Sequence, residues 1–197
     1  ILNLVLGTIS IPVKSIWNIL FVQADENEIW HNIVWKSRMP QALISLVAGA
    51  GLSISGLQMQ TVFRNPLAGP SVLGISSWAS LGVAFVILLS GNLAGMALSN
   101  MGIVGEIALT IGAIIGAMSV MAIIVFVSQK VRGNVTLLII GVMIGYVANA
   151  IIGVMKFFSV EEDIRAYVIW GLGSFSRVSG NQIFFFVLIM AVLIPLS

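Results

Sequence analysis

Long apolar runs separated by short polar stretches organise this chain. Five runs stand out, at residues 40–63, 72–89, 103–127, 135–158 and 183–196, and residues 1–6 read as the tail of an earlier one. A bilayer hydrocarbon core about 30 Å thick is crossed by roughly 20 residues of α-helix rising 1.5 Å each. Four of the runs meet that length or come close to it, and the last is short. Backbone N–H and C=O groups in lipid must be paired internally, which leaves helices or closed barrels. The runs are continuous, with none of the period-two alternation of barrel strands, so they predict helices. The expected fold is all-α: a polytopic transmembrane helical bundle, a single membrane domain over residues 1–197.

The polar stretches carry the turns. Residues 7–37 hold Lys14, Asp25, Glu26, Glu28, His31 and Lys36, together with Trp17, Trp30 and Trp35, which suit an interfacial belt. Residues 64–71 are short and contain Pro66 and Pro70, which interrupt helix. Residues 91–102 are uncharged and predict a brief turn, while 128–134 carry Lys130 and Arg132. Residues 159–181 carry Glu161, Glu162, Asp163, Arg165 and Arg177, and their middle predicts a short helix lying at the interface. Alternation of spans puts Arg64, Lys130 and Arg132 on one side and Lys14, Lys36, Arg38, Arg165 and Arg177 on the other. The raw count of basic residues favours the second side as cytoplasmic; their density in short loops favours the first. The positive-inside rule therefore leaves orientation open.

Composition strengthens the membrane reading. Apolar residues make up 59% of the chain and charged residues 8%, against about 25% charged in an ordinary soluble domain. A water-soluble fold of this size would expose large apolar patches, whereas lipid as solvent removes the difficulty. The chain starts with Ile1 inside an apolar run and stops at Ser197 just after another, so both ends are expected to be cuts in a longer protein. No charged segment of a secretory signal is visible, but such a cut would hide one.

Several chemistries are not supported. There is no Cys, hence no disulfide or thiolate site, and the lone His31 lies in a polar stretch where a solvated surface residue is expected. A net charge of +2 gives no case for nucleic acid. No phosphate-binding G-x-x-x-x-G-K-[ST] loop, G-x-S-x-G elbow or H-E-x-x-H pair occurs, so no catalytic residue, cofactor or metal is assigned. Glu106 is the one acid inside an apolar run, near its end. An ion-coupled secondary transporter, the alternative reading, ordinarily needs more intramembrane ionisable groups and inverted repeats. An intramembrane enzyme would need converging reactive groups, and a structural or sensory membrane protein is a further rival.

Small residues recur at helical spacing. Ser45, Gly49 and Ser53 do so in the first full run, Gly112 and Gly116 in the third, and Gly141, Gly145, Asn149 and Gly153 in the fourth. Close helix–helix packing explains such stripes. In the fourth run a second reading stands beside it, because Asn149 at mid-membrane is expensive unless paired or wetted, and a Gly/Asn face could line a water-filled path. Met96, Met101, Met118, Met121, Met143 and Met155 read as packing residues, with a thioether-lined path as the alternative.

Local sequences then carry a resemblance. These are WKSRMPQAL at 35–43, LVAGAGLSISGLQMQTVFRNPLAGPSVL at 46–73 running into GISSWASL at 74–81, LIIGVMIG at 138–145 and IWGLGS at 169–174. The most specific piece is Q-x-x-x-x-N-P-L-A-x-P-x-x-L-G, from Gln60 to Gly74. Together they resemble the FecCD family, membrane permease subunits of bacterial ABC importers for iron–siderophores, haem and cobalamin. The similarity runs from about Gly7 to Ser197.

That resemblance implies a permease of about ten helices in the bacterial cytoplasmic membrane, of which this chain covers roughly the first six. It implies a homodimer or paired permease, two cytoplasmic ATPase subunits and an extracytoplasmic substrate-binding protein, with transport by alternating access and no bond broken by the permease itself. It places the 64–71 and 128–134 stretches in the cytoplasm and the coupling helices beyond Ser197. Arginines before the second helix receive the binding protein in the pattern R-[LM]-P-R; Arg38 matches the first, Gln41 replaces the second, and Lys36 is the candidate substitute. Interfacial snorkelling accounts for Arg38 and Lys36 equally well. The family's inner gate falls on Gly133, Asn134, Val135 and Thr136, and its path-lining helix carries Gly141, Gly145, Asn149 and Gly153. Trp78 departs from the family's usual Gly. So large a ring is not expected to allow the same close helix approach, and either different neighbours or a ring facing lipid or the path would accommodate it.

Overall fold

A computed structural model describes residues 7, 9–22, 27–89, 102–131, 133–175, 183 and 186–192. The tail at 1–6, Asp25, Glu26, the turn expected at 91–102 except Gly102, Met96, Met101, Arg132, Arg177 and the end of the 183–196 run lie outside the described residues. Among the described residues every regular element is helical. Helix α1 is Val13–Trp17, continued by a π-helical turn at Asn18–Val22. Helix α2, Glu28–Ile33, passes through a π-helical turn at Val34–Arg38 into α3, Met39–Phe63. A 3₁₀ turn at Pro70–Leu73 leads to α4, Ile75–Ala84, which ends in a π-helical turn at Phe85–Leu89. Then follow α5, Gly102–Ser128, α6, Asn134–Phe157, and the short α7, Glu161–Gly171. The stretches Glu28–Phe63, Val104–Ser128 and Asn134–Phe157 are long and apolar enough to cross a membrane, and Ile75–Leu89 is a shorter apolar helix.

The chain divides into two compact units, residues 1–54 with 174–197, and residues 55–173. In the first, helix is already under way at Glu28, well before the apolar run at 40–63. Asn27 supports that start by accepting from the Ile29 N–H at 3.0 Å. Pro40 brings no N–H for the carbonyl one turn earlier, and the chain is wound as π-helix at Val34–Arg38, a known way to keep a helix continuous past such a defect. Trp30 packs with Leu20 and Ile33 against the buried Ile11, Ile16, Ile19 and Val34. Trp17 and Trp35 are exposed, as interfacial rings are.

In the second unit α4 packs closely on α5 and also on α6. A Cβ on Gly82 would lie 2.0 Å from the Gly112 carbonyl oxygen, and one on Gly116 would lie 2.0 Å from that of Trp78. The two backbones touch where only glycine fits, the contact small residues make between helices in lipid. The ring of Trp78 does not prevent this approach, contrary to the sequence-based expectation. It turns towards α6, where its Nε1–H donates to the Ile144 carbonyl at 3.1 Å. Leu81, Val83, Ala84, Ile87 and Leu88 form a core with Ala148, Ile152 and Tyr167. The outward side of α5 is as greasy as its core, with Ile107, Ile111, Ile114, Ile115 and Met118 exposed, an arrangement suited to lipid as solvent. Helix α7 opens with Glu161, Glu162 and Asp163, and the exposed Glu161 and Glu162 complement the positive end of its dipole. Its Ile164, Tyr167 and Trp170 join the same core.

Candidate functional site

Helix α3 ends in a sharp reversal. Arg64 takes a positive φ of 48°, Asn65 accepts from the Leu67 N–H at 2.9 Å, and Gln60 Nε2 donates to the Pro66 carbonyl at 3.1 Å. Gly74, with φ 74°, supplies the left-handed turn that launches α4. This non-helical segment lies along α6. A Cβ on Gly141 would come 2.9 Å from Leu73 Cα, and one on Gly145 would come 3.3 Å from Gly74 Cα. Gly141 and Gly145 thus receive the backbone of the turn and are buried. They stand roughly 10–17 Å along α6 from its start. Irregular backbone at such depth is tolerated where protein covers it or where it lines a wet cavity.

Protein covers the turn here. Ala68 and Leu73 are buried. Beside them a pocket of about 150 Å³ opens between Ser71, Gly74 and Ser77 on one wall and Val142, Gly145, Tyr146 and Asn149 on the other. Asn149 and Gly153 are exposed, and a Cβ on Gly153 would meet nothing within 4 Å. The glycine stripe therefore divides: its first two members hold the turn, and its last two stand on an open face. Ser71, Ser77 and Tyr146 were not singled out by sequence reasoning. Tyr146 and Val142 were legible at three- and seven-residue spacing from Asn149, but the serines belong to a separate segment that only folding brings there.

The expected gate residues lie where α6 begins. Gly133 has φ 117° and precedes the helix without a side-chain cap, while Asn134 Nδ2 donates to the Val62 carbonyl at 3.2 Å. Val135 and Thr136 are exposed. In the other unit, the two expected docking residues differ. Lys36 is exposed, whereas Arg38 is 5% exposed and its guanidinium donates to the Ile9 carbonyl. Gln41, at the position of the family's second arginine, donates to Ser37 Oγ at 3.3 Å.

Helix α7 carries the main electrostatic anomaly. Asp163 is 7% exposed and its Oδ2 has no hydrogen-bond partner. Burial raises its pKa above the ordinary carboxylate value, and the neighbouring Glu162 charge adds to the rise. Burial also raises the Tyr167 phenol, opposed by a hydrogen bond with Ser80. The Lys156 ammonium lies 4.6 Å from the centre of the Tyr167 ring, a cation–π contact between α6 and α7. Among the described residues no group of three or more His, Asp or Glu side chains could hold a metal ion.

Comparison with known proteins identifies the family. The FecCD transport family matches over residues 1–197. The chain belongs to the FecCD transport family. It is 34% identical over 184 residues to the vitamin B12 import system permease protein BtuC of Photorhabdus laumondii, covering 88% of this chain and 52% of that protein. It is 32% identical over 182 residues to the hemin transport system permease protein HmuU of Yersinia pestis, covering 90% of this chain and 50% of that protein. A metal-chelate type ABC transporter solved in an inward-facing conformation superposes with a TM-score of 0.73 at 25% identity, over 100% of this chain and 57% of that one. This FecCD chain thus spans about half the length of the curated relatives it matches. Its fold is an all-α membrane bundle, as the apolar runs and the resemblance implied.

Proposed function

We propose that this chain supplies about half of a permease subunit of an ATP-driven importer in the bacterial cytoplasmic membrane, carrying a metal chelate of the iron–siderophore, haem or cobalamin class. The observation that carries the reading is the family match over the whole chain, with relatives that are permeases of vitamin B12 and hemin transport systems. The permease works as a pair. Two cytoplasmic ATPase subunits bias it between two arrangements, and an extracytoplasmic binding protein delivers the cargo. The permease breaks no bonds; ATP hydrolysis belongs to the separate subunits.

In this reading Gly133, Asn134, Val135 and Thr136 form the cytoplasmic gate. Asn149 and Gly153 face the path directly, and Gly141 and Gly145 shape it by holding the 70–74 turn against α6. Among the described residues the side chain that tethers the gate is Asn134, through its bond to the Val62 carbonyl, and a gate that moves must break it. Exposed Lys36 meets acidic groups of the binding protein, and Arg38 braces the helix that carries it. A surface charge of this kind governs the rate of encounter more than the affinity.

Co-expression of the full-length permease with its ATPase and binding protein tests the assembly. The expected product is a detergent-stable complex of two permeases and two ATPases whose hydrolysis rises when loaded binding protein is added. A permease that purifies alone, and leaves ATPase activity untouched, contradicts the proposal.

A further inference from the structure

The pocket between the 71–77 segment and α6 lies within the proposed transport face, and its chemistry says what it would hold. We propose that it is a subsite for an uncharged hydrogen-bonding arm of the cargo, an amide or a hydroxyl, as the chelate passes the permease. The inference rests on the reading of α6 as a path-lining helix.

Six hydroxyls on α3 and α5 are satisfied locally. Ser53, Thr61, Thr110 and Ser119 donate to the carbonyl four residues back, at 2.7–2.9 Å, and Ser45 and Ser128 to the carbonyl three back, at 2.9 and 2.7 Å. Such back-bonding is how a helix in lipid absorbs a hydroxyl. The side chains of Ser71, Ser77, Tyr146 and Asn149 do not follow that pattern. Among the described residues none of these four bonds to another protein group, yet all four line one pocket. Tyr146 stands near the middle of a span and Asn149 one turn beyond it, where an unpaired amide or hydroxyl in hydrocarbon is costly. Water, or a polar group of a passing ligand, offsets that cost.

The lining also sets the charge of the occupant. It offers two hydroxyls, a phenol and a carboxamide, and neither a carboxylate nor a cationic side chain. A carboxylate entering it would shed water without meeting a counter-charge. An amide or hydroxyl exchanges hydrogen bonds with water for hydrogen bonds with the wall. Size gives the last limit. The pocket of about 150 Å³ is open on one side, so it receives one substituent of a chelate while the rest of the cargo stays outside it. Holding one arm by neutral hydrogen bonds keeps the cargo oriented without trapping it, as conduction requires.

Uptake into vesicles holding the full-length permease and its ATPase, with the binding protein outside, tests the subsite. Three probes are compared: cyanocobalamin, which bears amide arms, an uncharged ferric trihydroxamate, and hemin, which bears carboxylates. The inference expects ATP-dependent uptake of an amide or hydroxamate probe. It expects that uptake to fall about 5- to 10-fold in Asn149→Leu combined with Ser77→Ala, and to recover to at least half in Asn149→Gln, which restores the carboxamide. Thermal unfolding of each variant in detergent separates lost folding from lost recognition, and Ser77→Ala alone, the milder change, serves if the double variant is unstable. Wild-type uptake by well-folded variants, or uptake of hemin alone, overturns the subsite while leaving the importer reading intact. Absence of ATP-dependent uptake for all three probes overturns the importer reading and the subsite with it.

Discussion

Trp78 and Asp163 show what single side chains decide in this molecule. The Trp78 indole spends its one donor on the Ile144 carbonyl and thereby ties α4 to α6. Trp78→Phe keeps an aromatic ring but loses the bond and part of the indole's packing, so thermal unfolding in detergent should report a loss of about 1 kcal/mol or more. No change would mean that the carbonyl is satisfied equally well without it. Asp163 works in the opposite direction. Its folded carboxyl holds a proton more tightly than the unfolded one, so stability falls as pH rises from the ordinary carboxylate pKa through the raised folded value. Asp163→Asn should therefore unfold at a higher temperature than wild type at pH 7, with the difference shrinking towards pH 4. An Asn variant that is less stable at pH 7 would show that the charge is welcome. Neither role was legible in the sequence. The charge at Asp163 is plain to read, but its burial on α7 depends on packing that only folding brings about. The direction of the Trp78 ring depends on which neighbour offers a glycine, and Gly116 on α5 takes the backbone while α6 takes the ring.

At the level of elements, hydropathy places helices well and faces poorly. The apolar runs lie where α3, α4, α5 and α6 form, because length and greasiness alone decide what can pair its backbone inside lipid. Which side of each helix meets a neighbour is hidden, because α5 is as apolar outside as inside and gives no contrast to read. The π-helical turns at Val34–Arg38 and Phe85–Leu89 leave no mark in hydropathy either, although Pro40 hints at the first. Small residues are the surviving clue, and they identify contacts without naming partners. The glycines of α4 and α5 prove to face each other. Gly82→Ala drives a methyl into the Gly112 carbonyl and should destabilise the pair by about 2 kcal/mol or more. Gly56→Ala, in mid-helix with nothing within 4 Å, should be neutral or slightly stabilising. Equal melting temperatures for the two variants would mean that α4 and α5 are not in backbone contact.

For the whole molecule, the candidate site was half legible. Asn149 announces itself as a polar residue in mid-span, whereas its partners Ser71 and Ser77 reach the pocket only because the Pro70–Gly74 turn lies deep along α6. Delivery tests the outer side: Lys36→Glu should slow uptake several-fold at unchanged thermal stability, because Lys36 is exposed and its change leaves the fold alone. Arg38→Glu should lower both, because the guanidinium is buried against the Ile9 carbonyl. Both are read by initial uptake rates at increasing binding-protein concentration, and an unaffected Lys36→Glu variant would remove that residue from the docking surface. The central claim, that this FecCD chain belongs to an ATP-driven importer of metal chelates, comes down to the energy source. Vesicles containing the full-length permease and its ATPase, given loaded binding protein outside, should accumulate chelate when ATP is sealed inside and not otherwise. Accumulation driven by a proton or sodium gradient with no ATP present would contradict it.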